Sequence, residues 1–252
     1  MNIFSPTYLQ ILLKAKTKQI LNGLPFFKSD NYTRFLIVGH PRTGTSLLHT
    51  FLNSHWNILS LNEPLTNTTD SRMLFKKYPK LIKAIGFKYF YEYTEDASKR
   101  NTLIELLKNK NIKIIKIERK NYLRTYVSHC IAEKTNEWSS TELKHYSIDY
   151  KKIFLTKEAC LNAFAQYKKN EQDTNAIIKK FNIPVFETEY EMLIQQPNEL
   201  MFAIQKFLGV SQLTPQSLLL RQNAEPLDML IENYADLKSS FKGTEFEHFF
   251  NE

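Results

Sequence analysis

The run Gly39-His40-Pro41-Arg42-Thr43-Gly44-Thr45-Ser46 carries the most informative spacing in the chain. It has the layout of a phosphate-binding loop, G-x-x-x-x-G-K-[ST], at every place but one. Glycines in such a loop let backbone N–H groups face an anion, and the helix that follows adds its positive end. The hydroxyls of Thr43, Thr45 and Ser46 offer further donors. Thr45 stands where the loop lysine of a nucleotide triphosphatase would reach the β- and γ-phosphates. Here the cation is Arg42, inside the loop. A donor carrying one phosphate next to a transferable group suits that shorter arrangement.

Such a loop needs a strand before it and a helix after it. Phe35-Leu36-Ile37-Val38 is a continuous apolar run, as expected of a strand buried on both faces of a parallel sheet. From Thr45 to Asn53, Leu48, Phe51 and Leu52 recur at helical spacing. Further strands are predicted at Ile112–Ile117 and Pro184–Thr188. Helices are predicted at Ala97–Lys108, Leu123–Glu133, Lys157–Phe181 and from Pro197 to the stop at Gly209. Alternating strands and helices indicate an α/β fold: one domain over residues 1–252, with a central parallel sheet flanked by helices. Residues 1–30 are read as an amphipathic helix packed on that domain.

Composition is consistent with this. A chain of 252 residues with 42% hydrophobic and 24% charged residues can bury one large core and is not globally disordered. The excess of 34 basic over 26 acidic residues gives +8, which favours anionic partners without choosing among them. Cys130 and Cys160, the only cysteines, are read as free thiols rather than a secreted disulfide framework. No uncharged apolar run approaches the ~20 residues of a membrane span. The patch from Tyr8 to Leu13 is too short for a secretory signal, so a cytoplasmic protein with no integral membrane association is expected.

With these residues in view, His40-Pro41-Arg42-Thr43-Gly44-Thr45-Ser46 resembles the 5′-phosphosulfate loop of the sulfotransferases that use 3′-phosphoadenosine-5′-phosphosulfate (PAPS). The resemblance implies a P-loop-like sulfotransferase fold. It also implies that Arg42 contacts the phosphosulfate and its bridging oxygen, while Gly44, Thr45 and Ser46 hold the 5′-phosphate. Ile117-Glu118-Arg119-Lys120, followed by a helix reaching Ser128, is similar to the family's 3′-phosphate segment. Arg119 and Ser128 are the matching residues, although counting back by the usual family spacing from Ser128 falls on Lys120. That variant resembles the bacterial nodulation-factor-type sulfotransferases. Thr188-Glu189-Tyr190-Glu191-Met192-Leu193, with Pro197 and Phe207-Leu208-Gly209-Val210, looks like a structural stretch of the same family. Arg221 and Gln222 lie where the resemblance implies a cofactor-covering segment. PAPS would be the donor and adenosine 3′,5′-bisphosphate (PAP) the product.

An alcohol or amine attacking sulfur must lose a proton, so a base is expected. Glu63, in Asn62-Glu63-Pro64-Leu65, resembles the proposed base of bacterial members, and partial burial would make its carboxylate a better base. His129, next to Ser128, is the alternative, and a capping or ion-paired role for Glu63 stays open. His40 is expected to position the loop. The histidines and cysteines show no metal-ligand spacing, so no metal is expected. Phe87 to Tyr93 could line an acceptor cleft but suits packing better. Two other functions remain open: a phosphate-loop kinase or NTPase with an aberrant loop, and a non-enzymatic anion- or nucleic-acid-binding module resting on the basic stretch Lys76 to Lys88. The expected acceptor is a hydroxyl or amine of a sugar, glycolipid or small metabolite, and nucleic acid is not an expected partner. The oligomeric state is not legible.

Overall fold

The computed structural model describes residues 28–108, 111–139 and 147–251, together with residues 10, 11, 13, 14, 16–18 and 20. The N-terminal helix expected over residues 1–30 falls mostly outside these. The described residues from 10 to 20 are helical, and Lys18 Nζ donates to the carbonyls of Asn53 and Ile58 at 2.8 and 2.6 Å. The chain forms two compact units, Met1–Glu118 with Asn170–Leu218, and Arg119–Lys169 with Leu219–Glu252.

The first unit is built on a parallel sheet of five strands: β1 (Thr33–Gly39), β2 (Ile58–Leu61), β3 (Ala84–Phe90), β4 (Ile112–Glu118) and β5 (Val185–Glu189). Their order is β2-β3-β1-β4-β5, with β1 paired in parallel to both β3 and β4. The chain leaves β1 for one side of the sheet and later returns to the other. The carboxyl end of β1 is therefore a topological switch point, where parallel sheets bind ligands. Alternate residues of each strand serve opposite faces. Phe35, Ile37, Ile115 and Ile117 pack with Leu48 and Leu52 of α1 (Thr45–Asn53) and with Met201 and Ile204 of a later helix, Pro197–Leu208. Leu36, Val38, Ile112 and Ile114 pack on the other face with Leu103 and Leu106 of α2 (Ala97–Leu107) and with Ile178. The apolar run of β1 is fully buried, as a two-faced strand must be.

Two of these strands, β2 and β3, carry no clear strand pattern in the sequence. β3 reads Ala-Ile-Gly-Phe-Lys-Tyr-Phe, and all seven residues are buried. A charge in its middle and a lysine-rich lead-in hide the strand pattern. Phe87, Tyr89, Phe90 and Tyr91 are buried, so this aromatic segment is packing.

The second unit is helical. It contains α3 (Tyr122–Thr135), the first half of α4 (Lys157–Lys179), and α5 (Tyr234–Ser240). Its core joins Leu123, Val127 and Ile131 of α3 to Cys160 and Phe164 of α4, and to Leu230, Leu237, Phe241 and Phe250. Phe164 lies against Phe246 and Phe249 with ring centroids 5.0 and 5.4 Å apart, geometries that add stabilisation beyond area alone. Both cysteines are free thiols.

Candidate active site

The loop after β1 is a tight turn made by two left-handed residues. Arg42 has φ 68° and Gly44 φ 89°. The conformation costs a glycine little and an arginine more. A side chain at Gly44 is excluded for a second reason, since a Cβ there would lie 2.6 Å from the Tyr190 ring. The turn is closed by the His40 carbonyl, which accepts from the Thr43 hydroxyl at 2.7 Å and the Thr43 N–H at 3.4 Å. Gly44 is also the N-cap of α1 and supplies no side-chain acceptor to the first turn. Those N–H groups have no intrahelical partner either, which suits an anion at this end of the helix. Burial pushes the Arg42 guanidinium down from its ordinary range.

A buried lysine, not singled out from the sequence, joins the loop to Glu63. Lys88 on β3 is 2% exposed. Its Nζ donates to Glu63 Oε1 at 2.7 Å and to Ser46 Oγ at 3.1 Å. Burial pushes its pKa down, against the pull of the Glu63 carboxylate and with help from the Arg42 charge. Glu63 is 32% exposed and stands just before the short helical turn Pro64–Thr66 without a side-chain cap bond. It is therefore both an ion-pair partner and an accessible carboxylate. His49 of α1 lies in the same polar cluster, with Nδ1 2.8 Å from Ser60 Oγ and Nε2 3.4 Å from Asn53 Nδ2. Burial, then the charge of Lys88, drives its pKa down to about 4, so the ring is neutral near pH 7.

Arg42, Thr43, Gly44, Thr45, Ser46 and Glu63 all belong to the first unit, and Ser46 and Glu63 share Lys88 as their donor. The remaining sequence candidates belong to the second. Arg119 is half-buried and Lys120 exposed, just ahead of Asn121, whose side chain caps α3 by accepting from the Arg124 N–H at 2.9 Å. Ser128 is buried one turn beyond Arg124, on the same side of α3. Gln222 is half-buried and Arg221 exposed. His129 is 30% exposed, with Nε2 3.3 Å from Glu133 Oε1 one helical turn on and its ring edge-on to Trp138. No group of three or more potential metal ligands occurs among the described residues. No helix among them is long and apolar enough to cross a membrane.

Known proteins resemble this chain over most of its length. The family model described as "Sulfotransferase domain" matches residues 32–250, running through both units. Nodulation protein H of Rhizobium meliloti (strain 1021) is 28% identical over 240 residues, covering 86% of this chain and 94% of that protein. Nodulation protein H of Rhizobium tropici is 27% identical over 246 residues, covering 86% and 92%. A solved sulfotransferase from Alicyclobacillus acidocaldarius is 14% identical with TM-score 0.48, covering 82% of this chain and 90% of that one. That likeness is too loose to add to the strand order itself. With its residues 32–250 matched to the family model, the chain belongs to the sulfotransferase domain family.

Proposed function

We propose that the protein transfers a sulfuryl group from PAPS to a hydroxyl or amine of a sugar, glycolipid or small metabolite. The observation that carries this is the loop itself: a cation at Arg42 on a left-handed backbone, and a helix start whose N-cap, Gly44, adds no acceptor. An anion site is built there without the lysine that a triphosphate would need.

PAPS, as donor substrate, supplies the sulfuryl group. Arg42 faces the negative charge that grows on the bridging oxygen, an interaction stronger in the transition state than in the ground state. Thr43, Gly44, Thr45 and Ser46 hold the 5′-phosphate by backbone and hydroxyl donors. Arg119 and Ser128 take the 3′-phosphate, with Arg221 and Gln222 as further donor-binding residues. Half-burial limits the freedom of Arg119, which favours it over exposed Lys120 for a fixed contact. Glu63 accepts the proton of the attacking group, and Lys88 keeps that carboxylate oriented and tied to Ser46. His129 is secondary, because its pairing with Glu133 accounts for it. Transfer is direct and in line, with no covalent enzyme intermediate and no metal required.

A thermal scan with PAP tests the donor. Ligand that binds only the folded state raises stability by about 2.7 kcal/mol at a hundredfold excess over Kd. PAP is expected to raise the Tm and ATP to raise it less. A rise with ATP and none with PAP would overturn the donor assignment.

A further inference from the structure

His40 opens the loop and has no part in the proton transfer or phosphate contacts described above. It is 2% exposed, and both ring nitrogens meet carboxylates. Nδ1 lies 2.7 Å from Glu92 Oε1 and Nε2 lies 3.1 Å from Glu171 Oε1. A neutral imidazole carries one N–H and can donate to only one ionised carboxylate. Donation to both requires the imidazolium. We propose, building on the donor reading above, that His40 is a positioning residue: a buried imidazolium that ties the front of the phosphate loop to Glu92 and Glu171 and so holds Arg42 in its left-handed conformation.

The backbone around it shows why such a tether matters. The His40 carbonyl closes the turn over Pro41 and Arg42 by accepting twice from Thr43. A left-handed arginine persists only where its surroundings over-determine it. Glu92 and Glu171 are far from His40 in sequence, and Glu171 sits on α4, so the tether fixes the loop to parts of the fold outside its own strand and helix. The Tyr91 ring covers the imidazole at 4.8 Å. Its hydroxyl donates to Glu118 at 3.4 Å, and Glu118 is in turn paired with Lys116 at 2.9 Å. Glu92, Glu171 and Tyr91 face the ring, with Glu118 and Lys116 beyond them. Burial alone would lower the His40 pKa, but the bonds to Glu171 and Glu92 carry it up to about 9. Loss of that proton breaks one tether and removes a positive charge held between two carboxylates at the foot of an anion site. Both effects weaken binding of an anionic donor.

The test combines NMR titration of ¹⁵N-histidine-labelled protein with PAP affinity measured from pH 7 to 10. The His40 ring is expected to remain doubly protonated at pH 8. Wild-type affinity for PAP is expected to hold to about pH 8 and to fall about tenfold as pH passes 9, the scale of one charge-assisted hydrogen bond. In Glu171→Gln the fall moves down by about one pH unit, because a neutral amide no longer favours the cation. Glu92→Gln does the same and serves if the first variant folds poorly. His40→Gln binds PAP more weakly than wild type at pH 7 and lacks the alkaline fall. A neutral His40 ring at pH 7, or a wild-type pH profile in both carboxylate variants, overturns the tether. Failure of the wild-type protein to bind PAP at pH 7 overturns the donor reading instead, and the NMR titration of His40 separates the two results.

Discussion

The candidate site cations of the two units are held differently. In the first, Arg42 sits on a left-handed backbone, Lys88 is 2% exposed between Glu63 and Ser46, and His40 is clasped by two carboxylates. In the second, Arg119 and Lys120 lie on an ordinary lead-in to α3, which Asn121 caps in the usual way, and neither is fully buried. Lys88 and His40, buried and held by carboxylates, cannot readily adapt to a ligand, so their positions are fixed before it arrives. That suits stabilisation of a transition state. Cations at a helix start, next to its N–H groups, suit ground-state binding of phosphate. The comparison divides the labour: kcat should depend on Arg42 and Glu63 in the first region, and reading of the donor's 3′-phosphate on the second.

The largest effect should come from the base. Glu63→Gln is expected to lower kcat by about 10²–10⁴ while leaving PAP affinity nearly unchanged, as loss of a general base does. Adding Lys88→Met to that variant should cost little more, because the pair acts as one unit. A full further loss in the double variant would show that Lys88 works apart from Glu63. Arg42→Ala follows, with kcat reduced by about 10²–10³ in the manner of other preorganised donors. If it raised KM at constant kcat, Arg42 would be a binding residue and the contrast between the units would fail.

Arg119→Ala should be milder and different in kind. It is expected to weaken PAP and PAPS by about 1.5–3 kcal/mol, the worth of a charge-assisted contact, and adenosine 5′-phosphosulfate far less. Equal losses for both ligands would move the 3′-phosphate contact to Lys120. His129→Asn should change kcat least, within about twofold, since an exposed pair one helical turn apart contributes only ~0.3–0.5 kcal/mol. An acidic limb of the pH–rate profile that survives in Glu63→Gln and vanishes in His129→Asn would give the base to the histidine.

The same contrast explains what could be read from the sequence. The loop was legible because strand, turn and helix are contiguous, and Gly44, Arg42 and the hydroxyls fall within eight residues. β4 and β5 were legible from local pattern, and the start of the long Pro197–Leu208 helix from its proline. Lys88 was not. In sequence it ends a basic stretch that starts at Lys76, whereas burial in β3 and pairing with Glu63 depend on how β3 lies in the sheet. His40 was expected to position the loop, but its two carboxylates are 52 and 131 residues away, beyond any local rule. Ion pairs across such separations follow from the fold and leave no spacing to find.

The central claim is sulfuryl transfer from PAPS. Incubating the protein with ³⁵S-labelled PAPS and a fractionated extract, with EDTA present, tests it most directly. The expected result is label in an acceptor fraction with release of PAP, no label retained on the protein, and the same rate without EDTA. Absence of transfer to any fraction, together with ATP turnover that requires Mg²⁺, would contradict it.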